Sequence, residues 1–262
     1  MKKNFLNLAV DHMTFLVEPR FYKVTYALFR TVFGARAEDI IYEKRKRWPG
    51  DCEEKSMTFA ARIGEGPAQK GLNQSIIAVV QPSEPQSRPS HVREILKNRG
   101  GSAHWQHIAL RTPDLSAFHR HAVERGVNFI TPILKDASED LVQVFSGEWN
   151  LPENNPSGIF FEFVQRNPGE DLLKKLAESN REAWFRDKTF LGLYEEKERE
   201  YQSGKVTPFI DVELFSIIDK LTAPKKIEEI GGILDTVESA MLDYAKSRLA
   251  VSAARTGQTG AG

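Results

Sequence analysis

Gly158-Ile-Phe-Phe-Glu-Phe-Val-Gln-Arg166 is an apolar run of aromatic and branched residues with one carboxylate at its centre. Turn-forming residues bound it, Asn155-Pro156-Ser157 before and Asn167-Pro168-Gly169 after, so it reads as a strand buried on both faces. Glu162 is costly in that setting unless it is paired, protonated or bound to a cation. Its partner has to come from elsewhere in the chain.

Upstream of this strand, Ala103–Arg111 reads as a strand and Thr112-Pro-Asp114 as a helix entry. Leu115–Gly126 follows as a helix with Leu115, Phe118, Ala122 and Val123 inward. Val127–Thr131 and Leu141–Ser146 supply further extended segments before Ile159–Arg166. The same order occurs earlier in the chain. Leu8–Val17 is a strand, and a helix follows in which Phe21, Val24, Leu28 and Val32 recur at helical spacing and Gly34 stands at the C-cap. Extended segments come next, around Asp39–Lys44, Ser56–Ile63 and Ser75–Gln81, with a polar connection over Gly64–Asn73. This helix is expected to pack its apolar stripe on the sheet. Two strand-helix-strand-strand-strand units result, matched by element order and by a shared Asp/Gln-His-hydrophobic opening. A turn-rich Gln81–Ser90 segment and a short helix over His91–Asn98 join them.

At 262 residues there is ample material for a core. Lys plus Arg and Asp plus Glu are equal at 36 each, which leaves no net field for nucleic acid or an anionic membrane. The single cysteine, Cys52, excludes an internal disulfide framework, and a reducing, cytoplasmic setting is expected. The N-terminal residues lack a signal-peptide pattern, and no apolar run reaches membrane-spanning length.

Residues 1–168 are therefore read as one sheet domain and 169–251 as a helical extension, with 252–262 too small and polar to pack. In the extension Leu172, Leu176 and Trp184 mark one apolar side. Ile227, Ile230, Leu234, Val237, Met241 and Tyr244 mark another. These stripes either cover the sheet or pair with a second copy of the chain, making a homo-oligomer.

His12 and His107 each lie in the first strand of a unit, and Glu162 lies in the last strand of the second. Two imidazoles and a carboxylate converging from three strands make the open facial set that suits ferrous iron. Strand alternation puts Trp105 and Ala109 beside His107, and Phe160 and Val164 beside Glu162. A lone strand histidine is more often a plain core or surface residue; the coincidence of a repeated unit with a buried Glu favours the metal reading. His91, His104, His119 and His121 are read as solvated.

Val10-Asp-His-Met-Thr14, Trp105-Gln-His-Ile-Ala-Leu-Arg-Thr-Pro-Asp-Leu115, Leu141-Val-Gln-Val-Phe-Ser146 and Ile159–Arg166 together resemble motifs of the catalytic half of 4-hydroxyphenylpyruvate dioxygenases. Those enzymes belong to the vicinal oxygen chelate superfamily. The resemblance covers roughly residues 8–168. It implies an α+β fold of two βαβββ modules forming a curled mixed sheet around a metal site, followed here by the helical C-terminal extension. It further implies His12, His107 and Glu162 as ligands of Fe(2+). Gln143 matches a glutamine near the substrate, Gln81 an amide at the place where glyoxalase-type relatives carry a fourth ligand, and Ser56 a substrate-side serine. Phe145, Phe160 and Trp105 are candidates for the apolar wall. After the FVQR strand the sequence departs from the family, with Asn167–Asp171 in place of a glycine- and phenylalanine-bearing segment, so substrate identity does not carry over.

The implied reaction is oxidative decarboxylation of a 2-oxo acid by O2 with hydroxylation of the substrate, Gln143 and Gln81 orienting a polar group. A catechol-cleaving extradiol dioxygenase uses the same ligand set. A lyase, isomerase or binding protein with another divalent metal is the remaining alternative.

Overall fold

A computed structural model of the protein describes residues 3–64, 75–136, 140–151, 156–179 and 189–258. The first module runs β1 (Ala9–Val17), α1 (Pro19–Thr31), β2 (Ile40–Lys46), β3 (Lys55–Ile63) and β4 (Ser75–Val80). After α2 (His91–Asn98) the second repeats it as β5 (Ala103–Arg111), α3 (Leu115–Val123), β6 (Leu134–Lys135), β7 (Leu141–Glu148) and β8 (Phe160–Arg166). All eight strands form one sheet in the order β2-β3-β4-β1-β5-β8-β7-β6. That order reads as a mirror about the antiparallel β1–β5 seam. β1 pairs parallel with β4 as β5 does with β8, and the outer pairs are antiparallel on both sides. Residues of seven strands, from Tyr42 on β2 to Gln143 on β7, line a single pocket, so the sheet is curled with that pocket in its concave face.

The convex face carries the helices. Tyr22 and Phe29 of α1 pack on Phe59, Ala61 and Val79; Leu115, Phe118 and Ala122 of α3 pack on Val142, Val144 and Phe163. Asp114 caps α3 by accepting the Ala117 N–H at 2.9 Å, as the sequence predicts. α1 ends in a left-handed residue, Gly34 at φ 70°, with Ala35 N–H reaching back to the Phe29 carbonyl.

The sequence reading of α1 is corrected by its rotation. Phe21, Val24, Leu28 and Val32 all point outward, Val32 being 65% exposed, because the aromatic cluster of Tyr22, Phe29 and Phe59 fixes the neighbouring stripe against the sheet. Val127–Thr131 is a second correction. It makes only isolated bridges, Val127 to Ile210 and Phe129 to Ser146, and β6 beyond Pro132 takes the ladder position beside β7.

The extension is helical: α4 (Glu170–Ser179), α5 (Thr189–Ser203), α6 (Val212–Thr222), α7 (Ile227–Ile230) and α8 (Leu234–Gln258). Leu176 joins the α3 core as expected, whereas Trp184 lies outside the described residues. α6 was not evident from the sequence. Ile227 and Leu234 are 80% and 55% exposed, whereas Ile230, Val237, Met241 and Tyr244 of the same predicted stripe are half-buried. α8 runs on past Ser252 to Gln258. Between α5 and α6 the backbone of Thr207–Phe209 pairs with Glu148, tying the extension to β7. No helix among the described residues is long and apolar enough to cross a membrane.

Candidate metal centre

Strand register brings the three predicted ligands together. His12 on β1 stands opposite Ala109 on β5, and Ala109 stands opposite Glu162 on β8, while His107 lies two residues along β5, opposite Thr14. The Nε2 atoms of His12 and His107 each lie 3.2 Å from the same carboxylate oxygen, Oε2 of Glu162. Donor atoms of all three fall within 4.8 Å of one another. Bonds of about 2.1 Å to a metal with right-angle geometry would separate neighbouring donors by about 3.0 Å, close to what is found.

Two β-bulges complete the set. Pairing across β1–β5 slips between Val10 and His12 and again between Thr14 and Phe15, so Asp11 and Gln106 are each an extra residue beside a histidine. A bulge breaks the alternation that would turn them away. Asp11 Oδ1 accepts from His12 Nδ1 at 3.1 Å and Gln106 Oε1 from His107 Nδ1 at 3.2 Å. With both Nδ1 atoms protonated and engaged, both Nε2 atoms are directed at the common point, the arrangement that metal-binding imidazoles require. Asp11 is itself held by Arg166 through two bonds, 2.7 and 2.8 Å, and by Arg111 at 2.8 Å.

The electrostatics ask for a cation. Burial holds the His107 pKa below its ordinary value, so this imidazole is neutral with its Nε2 lone pair facing the Glu162 carboxylate. Thr14 Oγ1 donates to that Nε2 from 2.8 Å. Burial alone would raise the Glu162 pKa, but the His12 charge and its hydrogen bond outweigh this and bring it down to about 2. His12 is pressed toward neutrality by burial; Glu162 and Asp11 outweigh this and raise it to about 10. Two acceptors 3.2 Å apart in a buried site, with one proton on the remaining imidazole, fit a divalent ion in chemistry as well as spacing.

The pocket over these ligands encloses about 750 Å³ including its mouth. Gln143 and Phe145 line it from β7, Phe145 directly opposite Glu162. Phe160 is fully buried behind His107, rings 5.0 Å apart, and supports the ligand rather than lining the pocket. Trp105, Ser56 and Gln81 do not line it, which corrects their expected placement. The Gln106 bulge turns Trp105 to the convex face, where it is 45% exposed and packs at a tilt against Phe15. A second bulge, between Lys44 and Arg45 opposite Met57, turns Ser56 toward α1, and its hydroxyl bonds Tyr22 Oη at 2.7 Å. Gln81 donates its amide to the Ser56 carbonyl at 2.8 Å.

The sequence reading missed several contributors. Thr14, Thr58, Tyr42 and Arg166 line the pocket, and Leu193 reaches it from α5 in the extension. His91, read as solvated, is 1% exposed, bonded to Glu198 and packed on Tyr194, because α5 covers it. Asp11 and Gln106 were visible as the residues preceding each His, but strict alternation assigns them to the wrong face.

No protein-family model and no curated protein matches the chain. Among solved structures it is similar to a mutant of 4-hydroxymandelate synthase from Streptomyces coelicolor, at 20% identity and TM-score 0.47. That match covers 74% of this chain but 55% of the synthase, so the chain spans about half its length. Methylmalonyl-CoA epimerases are also similar. The Streptomyces coelicolor enzyme has 17% identity and TM-score 0.40 over 61% of this chain and 97% of its own. The Mycobacterium tuberculosis enzyme has 17% identity and TM-score 0.41 over 66% and 96%. By its own strand order and pairing, two mirrored βαβββ modules curled about one pocket, the chain has the vicinal oxygen chelate fold.

Proposed function

We propose that the protein is a non-haem Fe(II)-dependent dioxygenase acting on a small 2-oxo acid or aromatic substrate with O2. The convergence of His12, His107 and Glu162 on one point at the base of a pocket carries this reading. Two imidazoles and one carboxylate suit ferrous iron and leave coordination positions for substrate oxygens and O2. The bound ion would supply Lewis acidity and the electrons that activate O2.

The chain's own groups hold and shelter that chemistry. Asp11 and Gln106 fix the ring orientation of the two histidines. Glu162 supplies the negative charge. Ile76, Ala78, Val80, Phe145 and Leu193 keep the chamber largely apolar, and the Gln143 amide offers both a donor and an acceptor to a substrate oxygen. The resemblance matches Gln81 to the place of a fourth ligand in glyoxalase-type relatives; here Gln81 does not line the pocket and its amide is committed to the Ser56 carbonyl, which supports three protein ligands. For a 2-oxo acid the electrons balance: decarboxylation supplies two, hydroxylation of the substrate two, and O2 accepts all four.

Iron analysis of protein loaded with Fe(II) without oxygen, followed by oxygen uptake with panels of 2-oxo acids and catechols, tests the proposal. One iron per chain is expected, lost in His107→Ala and Glu162→Ala. Full occupancy in either variant would refute the assignment. Uptake with catechols alone would move the reading to extradiol cleavage, for which Tyr42 is a lining phenol.

A further inference from the structure

A second chamber lies apart from the metal pocket, and the two share no lining residue. It opens between α3, the Gly126–Pro132 segment and α8, and encloses about 1080 Å³ including its mouth. Val123, Val127, Phe129, Ile130 and Leu249 give it apolar sides. Ile130 stands between the two chambers, lining this one while packing on the cluster of Phe145, Phe160 and Leu193.

Three polar side chains line the same space. Thr131 is 7% exposed, and its hydroxyl oxygen is buried with no hydrogen-bond partner among the described residues. Such a group is costly until something entering the chamber bonds it. Arg248 engages only one end of its guanidinium. Its Nη1 donates to Asn128 Oδ1 at 3.1 Å and to Asp211, whereas Nε and Nη2 meet no acceptor among the described residues. The Nε–Nη2 edge carries two parallel N–H groups at the spacing of the two oxygens of a carboxylate. Asp211 stays on the Nη1 side, because it also accepts from the Tyr244 hydroxyl at 2.9 Å and the Asn128 amide at 3.0 Å. His119, expected to be solvated, is half-buried, its ring 4.4 Å from that of Phe129, and burial lowers its pKa. A neutral imidazole adds a flat wall without a second charge, so the cation stands at one end only. Arg248 is bonded to Asn128, and Thr131 follows three residues later, a span of at most about 11 Å.

We propose that this chamber binds a small carboxylate with a flat apolar body. Its two oxygens lie on the Nε–Nη2 edge of Arg248, its body against Phe129 and Leu249, and a hydroxyl or carbonyl at its far end on Thr131. The site is independent of the metal and of the reaction proposed above.

Calorimetry on the full chain with three probes tests this: 6-hydroxy-2-naphthoate, 2-naphthoate, which lacks the far hydroxyl, and 6-hydroxy-2-naphthamide, which lacks the charge. One 6-hydroxy-2-naphthoate per chain is expected. The amide should bind about tenfold and 2-naphthoate about fivefold more weakly, the effects of one charge-assisted and one neutral hydrogen bond. Thr131→Val should make the two carboxylates equal. Arg248→Lys keeps the charge beside Asp211 but not the paired N–H edge, and should bring the carboxylates close to the amide. His107→Ala should leave all three affinities as they are. No saturation below about 1 mM, an amide as tight as the acid, or affinities unchanged in both Thr131→Val and Arg248→Lys overturns the proposal. Loss of binding in His107→Ala does so too, because it places the probe in the metal pocket. Thr131→Val should melt at or above the wild-type temperature, since an unsatisfied hydroxyl has been removed; a clear fall shows that the hydroxyl serves the fold, and also overturns the proposal.

Discussion

Replacing Lys197 with Met should unfold the protein much more readily, although the residue touches no proposed ligand. Its ammonium is 1% exposed and lies 2.6 Å from Glu148 Oε1 and 2.7 Å from Glu200 Oε2. Glu148 is fully buried and also accepts the Gly158 N–H at 2.8 Å and the Tyr201 hydroxyl at 3.0 Å. Removing the cation leaves a buried carboxylate with neutral donors only, a loss of about 3–5 kcal/mol for breaking one side of a buried pair. Against a total of about 5–15 kcal/mol this is a large fraction, worth roughly 6–20 °C in melting temperature at this chain length. Lys197→Met combined with Glu148→Gln removes both charges, and urea titration should show it recovering about 2 kcal/mol or more relative to the sum of the single variants. A loss below about 1 kcal/mol in Lys197→Met, or strict additivity in the cycle, would show that the cluster is solvated and the reasoning wrong. The consequence reaches the site, because Lys197 holds α5 in place, and α5 carries Leu193 into the pocket.

Gln106→Leu should lower metal affinity about 10–100-fold, since His107 loses the acceptor that orients it; competition with a chelator measures this, and unchanged affinity would remove Gln106 from the site. The His12 pKa, raised to about 10 by Glu162 and Asp11 against its burial, means that native metal-free protein binds a proton which the unfolded chain releases near pH 6.5. That contribution is complete below pH 6.5 and disappears as pH rises from about 6.5 to about 10, so the melting temperature should fall across this window and His12→Asn should flatten the fall. Gly147→Ala would place a methyl 2.2 Å from the Pro208 carbonyl oxygen, so the Thr207–Phe209 segment must leave β7; a loss of about 1–3 kcal/mol in urea is expected, and wild-type stability would contradict the close approach.

The two modules were legible because each element carries its own period and its own punctuation. The Asp114 cap, Gly34 after α1 and the apolar β8 run are local signals, and the structure keeps all of them. Alternation served less well wherever pairing slipped by a residue. Trp105 was placed beside His107 by counting along a strand, and the bulge at Gln106 reversed the count; Ser56 came from the resemblance alone, and the slip at Met57 turns it toward α1. α1 misled for another reason: two apolar stripes lie side by side on that helix, and only packing against Phe59 chooses between them.

The repeated order of strands and helices is written in the residues, and so are a carboxylate and two imidazoles on strands that had to meet, because a charge in an apolar strand admits few solutions. Folding in three dimensions settles which neighbours orient those imidazoles, and that Leu193 of α5 and Thr58 of β3 reach the same pocket. Such facts depend on register between strands distant in the chain, and on the docking of a helix through buried charges. Neither leaves a periodic trace in the residues themselves.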